Sequence, residues 1–137
     1  MDDKQFLEAF KNGTLSATEF NHKGHLRLSW LMLQRYGFGE GSRVVSKGIK
    51  RFATSRGAIK KYHETLTQFW LRLVFHAVET KPDVTNFADF LNSFPFLLNK
   101  DLPLPHWRFD TLQSEDSRQS WVTPDLVPLP SIRAHCD

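Results

Sequence analysis

Apolar residues recur along this chain with the 3.6-residue period of amphipathic helices, and over no useful length with the period of two that a half-buried strand requires. Phe6, Leu7 and Phe10 form a first short face, with Asp2 or Asp3 as its cap and Asn12-Gly13 as its stop. Ser16-Ala17-Thr18-Glu19 has the spacing of a capping box and predicts a second helix from about residue 17 to Arg35. Its Leu26, Leu28, Trp30, Leu31, Met32 and Leu33 surround most of the circumference, the pattern of a well-covered central helix. Tyr36-Gly37-Phe38-Gly39 ends it. Ser42 then caps a third helix, with Val45, Ile49 and Phe52 inward, Arg43, Lys47, Lys50 and Arg51 outward, and Ser55-Arg56-Gly57 at its close.

The fourth predicted helix, about residues 59 to 79, carries the clearest stripe: Leu66, Trp70, Leu73 and Ala77, widened by Phe69 and Val74 and begun by His63. Lys81-Pro82-Asp83 breaks it, and a short fifth helix runs from Thr85 to Asn92 before Phe94-Pro95. Six of the seven prolines fall between Pro95 and Pro130, which predicts extended and turn conformations there, with one or two helical turns near Ser114 to Trp121. Phe96, Trp107, Phe109 and Trp121 are apolar enough to anchor that segment. The expected fold is all-α: a single-domain bundle of about five helices over residues 1–137. The second and fourth helices lie at its centre, and a proline-rich C-terminal wrap (94–137) is largely irregular and packed on the bundle.

Composition changes this picture little. The 137 residues fit one domain and include twelve Phe and four Trp, so large rings dominate the packing. The formal charge of +3 over the whole chain tolerates an anionic partner but falls short of the basic face that nucleic-acid binding needs. One cysteine, Cys136, cannot form an internal disulfide, no apolar run approaches a membrane span, and the acidic start is unlike a secretory signal. A cytoplasmic protein is expected.

The candidate chemistry lies in the histidines. His22 and His25, three apart, share one helix face, and His63 from the fourth helix would complete a three-nitrogen metal site, with Glu19 or Glu64 in support. Zinc, iron or manganese would suit such a site. In a second reading His63 is a general base and Glu64 its carboxylate neighbour. In a third, the imidazoles are interior groups satisfied by Tyr62, Thr65, Thr67 or Ser29. His76, His106 and His135 have no spacing partner and read as structural or exposed. Lys60 and Lys61, at the predicted start of the fourth helix, oppose its dipole and would welcome an anion.

Three stretches also carry a resemblance: Glu19-Phe20-Asn21-His22-Lys23-Gly24-His25-Leu26, Tyr62-His63-Glu64-Thr65-Leu66-Thr67, and Ser114-Glu115-Asp116-Ser117-Arg118 followed by Pro124-Asp125-Leu126. Their order and spacing resemble a family of small bacterial proteins of unestablished activity, with Phe-x-His-x-x-His-Leu, Tyr-His-Glu-Thr, Ser-x-x-Ala-Arg and Pro-Asp-Leu motifs. The chain departs from that pattern at Ser117, where the family has Ala, and at His106-Trp107-Arg108. The resemblance implies that His22, His25, Tyr62, His63, Glu64, Thr65, Arg118 and Asp125 act together, and it implies no reaction.

Two functional classes follow. One is a metal-dependent or His-dependent enzyme, with His63 and Glu64 catalytic, Tyr62, Thr65, Thr67 and Arg118 on the ligand, and His22, His25 and His63 converging in a pocket between the second and fourth helices. The other is a non-catalytic module binding a small anionic molecule or a peptide.

Overall fold

In the computed structural model, which describes residues 1–129, the helical periodicity becomes six α-helices and two 3₁₀ turns, with no strand among the described residues. His135 and Cys136 lie outside the described residues. The chain divides into two compact units, Met1–Tyr62 and His63–Asp137.

In the first unit, α1 (Asp3–Asn12) starts and stops where its sequence signals stand. Asp2 and Gln5 form a reciprocal capping box, and Gly13 takes the left-handed conformation (φ 73°) that favours glycine at a helix end. The Ser16 to Glu19 box also forms, with the Glu19 amide donating to Ser16 Oγ at 3.2 Å, but it closes an isolated turn. The helix itself begins later. α2 (His22–Ser55) is capped by Asn21, whose side chain accepts from the Gly24 amide at 3.0 Å.

A single non-helical residue, Gly37 (φ 77°, ψ −176°), breaks α2 into two halves. The predicted stop is therefore present, but helix resumes at once, and Ser42 is a buried interior residue where a cap was expected. A β-carbon on Gly41 would lie 3.0 Å from the Met32 carbonyl oxygen and 3.1 Å from Leu33, so the two halves pack closely across the break. Phe10, Phe20 and Phe52 form a ring cluster, with centroids 5.1 Å (Phe10–Phe20) and 4.8 Å (Phe20–Phe52) apart. Arg56 lies over Phe52 and donates to the carbonyls of Gly13 and Leu15, tying the end of α2 to the loop after α1. The Arg27–Asp3 ion pair, at 2.7 Å, ties its start to α1.

A 3₁₀ turn, Ile59–Lys61, follows α2 and packs against it. Lys60 and Lys61 thus belong to this turn, and the predicted fourth helix starts only beyond Tyr62. In the second unit, α3 (Glu64–Thr80) is capped by His63. The extended backbone of His63 (φ −137°, ψ 105°) takes it off the helix, which corrects its expected place on the apolar stripe. α4 (Phe87–Ser93), capped by Asn86, leads through a 3₁₀ turn at Pro95–Leu98 to a proline-rich stretch.

That stretch contains one more helix than its prolines predict: α5 (Phe109–Gln113) precedes α6 (Glu115–Gln119), which packs on α3. Trp107, Phe69 and Leu112 form the buried centre, with Leu66, Trp70, Leu73, Leu102 and Trp121 packed around it. The predicted stripe of α3 meets this cluster through Leu66, Phe69, Trp70 and Leu73, although Trp70 is only partly buried whereas Trp107 is fully so.

The units differ in charge. The first carries twelve Lys and Arg against five Asp and Glu, formally +7; the chain's other six cations and ten carboxylates leave the second at −4.

Candidate functional site

The polar residues that carry the sequence signatures of the second unit meet where α3 begins. His63 Nδ1 accepts from the Leu66 amide at 3.2 Å, and Nε2 lies 2.8 Å from the Leu112 carbonyl oxygen at the end of α5. An amide can only donate and a carbonyl can only accept, so Nε2 carries the hydrogen and Nδ1 is bare. Burial holds the His63 pKa below its usual value, and the nearby Arg118 charge acts in the same direction, against the pull of the Leu112 carbonyl. The ring is neutral, and both nitrogens are engaged.

Thr65, fully buried, continues the same seam: its hydroxyl donates to the Ser120 carbonyl at 3.0 Å and accepts from the Val122 amide at 3.1 Å. Trp107 Nε1 donates to the Val122 carbonyl at 3.0 Å. Ser117, where the resemblance has Ala, is fully buried and donates to the Leu112 and Ser114 carbonyls at 3.3 and 3.0 Å. The extra hydroxyl is therefore accommodated without an unpaired group. Thr67 donates to the His63 carbonyl at 2.8 Å, and Glu64 accepts from Gln68 at 2.8 Å, on the first turn of α3 where a carboxylate suits the helix dipole.

Asp125 works as a remote cap. Arg108, the residue before α5, offers no side-chain cap of its own; the Asp125 carboxylate accepts from its amide at 2.8 Å and from the Thr111 hydroxyl. These bonds hold the Asp125 pKa below the usual carboxylate value. The neighbouring backbone is joined as well, the Leu126 amide donating to His106 and the Val127 amide to Pro105. Sequence reasoning singled out Thr65 and Asp125 but gave them no such partners, and it placed Trp107 only as an anchor.

In the first unit, His22 and His25 occupy the first turn of α2. The His25 ring stacks on Phe20, centroids 4.1 Å apart and 21° from parallel. Burial, with a smaller contribution from His22, pushes its pKa down to about 4. Tyr62 lies under Lys50, whose ammonium is 5.3 Å from the ring centroid. Within neither unit do the described residues gather three or more His, Cys, Asp or Glu side chains in a group able to hold a metal ion.

The His106 ring donates to the Val127 carbonyl at 2.8 Å. An open depression of about 370 Å³ lies at the far end of α3, lined by residues such as Lys81, Asp83 and Asp89. It contains none of the predicted site residues.

No family model matches the chain, and no solved structure matches it. The chain is 29% identical over 138 residues to serine–tRNA ligase of Xanthomonas campestris pv. campestris (strain B100) and 28% identical to that of Xanthomonas euvesicatoria pv. vesicatoria (strain 85-10). Each alignment covers 96% of this chain and 29% of the relative, so the chain spans less than a third of the length of the curated relatives it matches. No helix among the described residues is long and apolar enough to cross a membrane.

Proposed function

We propose that this chain is a non-catalytic helical binding module with RNA as its partner. The observation that carries the first half is the engagement of both His63 nitrogens. A general base needs a free lone pair aimed at a substrate, and a metal ligand needs one aimed at the ion. Here one nitrogen caps α3 and the other holds α5. The polar signature of the second unit then reads as a brace that fastens residues 112–122 onto α3, and Glu64 and Thr67 as local helix-start contacts.

The second half is supported by the likeness to a segment of serine–tRNA ligase, by name a ligase that acts on a tRNA, and by the +7 charge of the first unit. The ligation reaction is not carried over. A module of this kind binds without turning its partner over.

Two measurements test the reading. Protein purified without a tag should contain zinc, iron and manganese far below stoichiometry, unchanged in His63→Ala. Addition of total tRNA should raise the unfolding temperature, as any partner bound only by the folded state does. Near-stoichiometric metal that disappears in His63→Ala would restore the metal-dependent enzyme, with His22, His25 and His63 as its ligands.

A further inference from the structure

Between Glu40 and Glu64 the chain has no carboxylate and seven cations: Arg43, Lys47, Lys50, Arg51, Arg56, Lys60 and Lys61. Arg56 is committed to the carbonyls of Gly13 and Leu15. The other six are exposed. At 100° per residue, Arg43, Lys47, Lys50 and Arg51 fall within an arc of about 100° on the second half of α2, spread over about 12 Å of its length. Val45 and Ile49, on the opposite side, are buried.

Tyr62, lying under Lys50, brings the preceding Lys60 and Lys61 beside the same helix. Arg43 is paired with Glu40 at 2.8 Å in an exposed ion pair, whereas Lys47, Arg51, Lys60 and Lys61 meet no carboxylate among the described residues. Six cations on one side, most without a counter-charge, repel one another until a polyanion lies over them. The modest charge of the whole chain conceals this, because the second unit is acidic.

Resting on the reading of the chain as an RNA-binding module, we infer that this side of α2, continued by Lys60 and Lys61, is the face that takes the RNA phosphate backbone. Its form favours a polyanion in water over a membrane surface. An interfacial helix needs a broad apolar face beside its cations. The exposed large apolar residues of this unit are Met1, Tyr36 and Ile59, which form no such face. The contacts are to phosphates, so binding is insensitive to sequence and strongly dependent on salt.

The test uses the full chain and fluorescence anisotropy with a labelled 20-nucleotide oligouridylate and with total tRNA. Engagement of four to six phosphates gives a log–log salt slope of about −3 to −4 on the single strand, equivalent to about 60- to 250-fold weaker binding between 50 and 200 mM KCl. The exposed variant Lys47→Gln/Arg51→Gln/Lys60→Gln/Lys61→Gln should remove most of that slope. Each single substitution should lower it by about 0.7, which keeps the test decisive if the quadruple variant folds poorly. Lys100→Gln, in the other unit, should change nothing.

Absence of binding at 50 mM KCl, or an undiminished slope in the four single variants, overturns the assignment. So does preferential binding to vesicles of 30% phosphatidylglycerol, which would make the face a membrane contact. Displacement of the RNA by polyglutamate at equal charge would make the partner an acidic protein. RNA binding that survives all four substitutions overturns the face but leaves the module reading intact, whereas His63-dependent metal content overturns that reading irrespective of RNA.

Discussion

Replacing His63 with Ala cuts two bonds of different kinds, and their separate restoration shows what the residue does. The α3 N-terminus loses its cap, which costs about 1 kcal/mol. The Leu112 carbonyl, buried beneath the ring, keeps only the Ser117 hydroxyl at 3.3 Å, and a buried acceptor left poorly satisfied costs about 1–2 kcal/mol more. A total of about 2–3 kcal/mol should move the urea midpoint down by about 1–1.5 M for an m-value near 2 kcal/mol per M. His63→Asn keeps an acceptor at the cap but cannot reach Leu112, so it should recover about 1 kcal/mol. Equilibrium urea unfolding followed by tryptophan fluorescence measures both. A loss below about 0.5 kcal/mol in His63→Ala, or no difference between Ala and Asn, would mean that the ring is not bracing α3 to α5.

Trp107→Ala should cost about 3–5 kcal/mol, since its ring is 1% exposed and meets Phe69 and Trp121 edge-on at 5.7 Å; a cost under about 1 kcal/mol would contradict its central place. Gly24→Ala and Gly39→Ala should shift the thermal midpoint in opposite directions, because a β-carbon at Gly24 runs into the Glu19 carbonyl oxygen while one at Gly39 meets nothing within 4 Å and gains up to about 1 kcal/mol of helix propensity. Shifts of the same sign would refute this. Acid should destabilise the chain: His25 stays neutral down to about 4 when folded but takes up a proton from about 6.5 when unfolded, so its contribution to stability is whole above 6.5, falls across that window and changes no further below 4, a loss of up to about 3 kcal/mol. His63, whose pKa is lowered in the same direction, adds to the loss below its unfolded value; a midpoint that is level between pH 7 and 4.5, or a loss undiminished in His25→Leu, would contradict the assignment.

The all-helical architecture was readable because it rests on local signals. Asp2, Gly13, Asn12 and the long stripe of α3 act within a turn or two of themselves, and their outcomes follow. The misplacements have non-local or competing causes. Ser16 and Glu19 form their box, yet Asn21 offers a second cap five residues on, and the helix takes that one. Gly37 breaks α2 as a glycine with φ 77° can, but a one-residue break leaves no room for Ser42 to start afresh. α5 was missed because its cap, Asp125, lies 17 residues downstream of Arg108, and no window over residues 109–113 contains it. The candidate site was legible as a set of residue types and not as a geometry. Nothing in Tyr62-His63-Glu64-Thr65 says that the second residue ends up outside the helix it introduces.

His, Thr, Asp and Ser are the side chains of catalytic sites and equally those of caps and loop anchors, because both tasks use a short polar group with a directed lone pair or hydrogen. What separates the tasks is whether any of that capacity is left over. In this chain one ring nitrogen of His63 accepts locally from the Leu66 amide, while its other nitrogen, the hydroxyl of Thr65 and the carboxylate of Asp125 are matched to backbone groups far away in sequence, at Leu112, Ser120, Val122 and Arg108. Of the three stretches, residues of the second and third meet within the second unit, where His63 and Ser117 share the Leu112 carbonyl, whereas the first, Glu19 to Leu26, belongs to the first unit. The groups with capacity left over are Lys47, Arg51, Lys60 and Lys61 of the first unit, exposed cations that meet no carboxylate among the described residues.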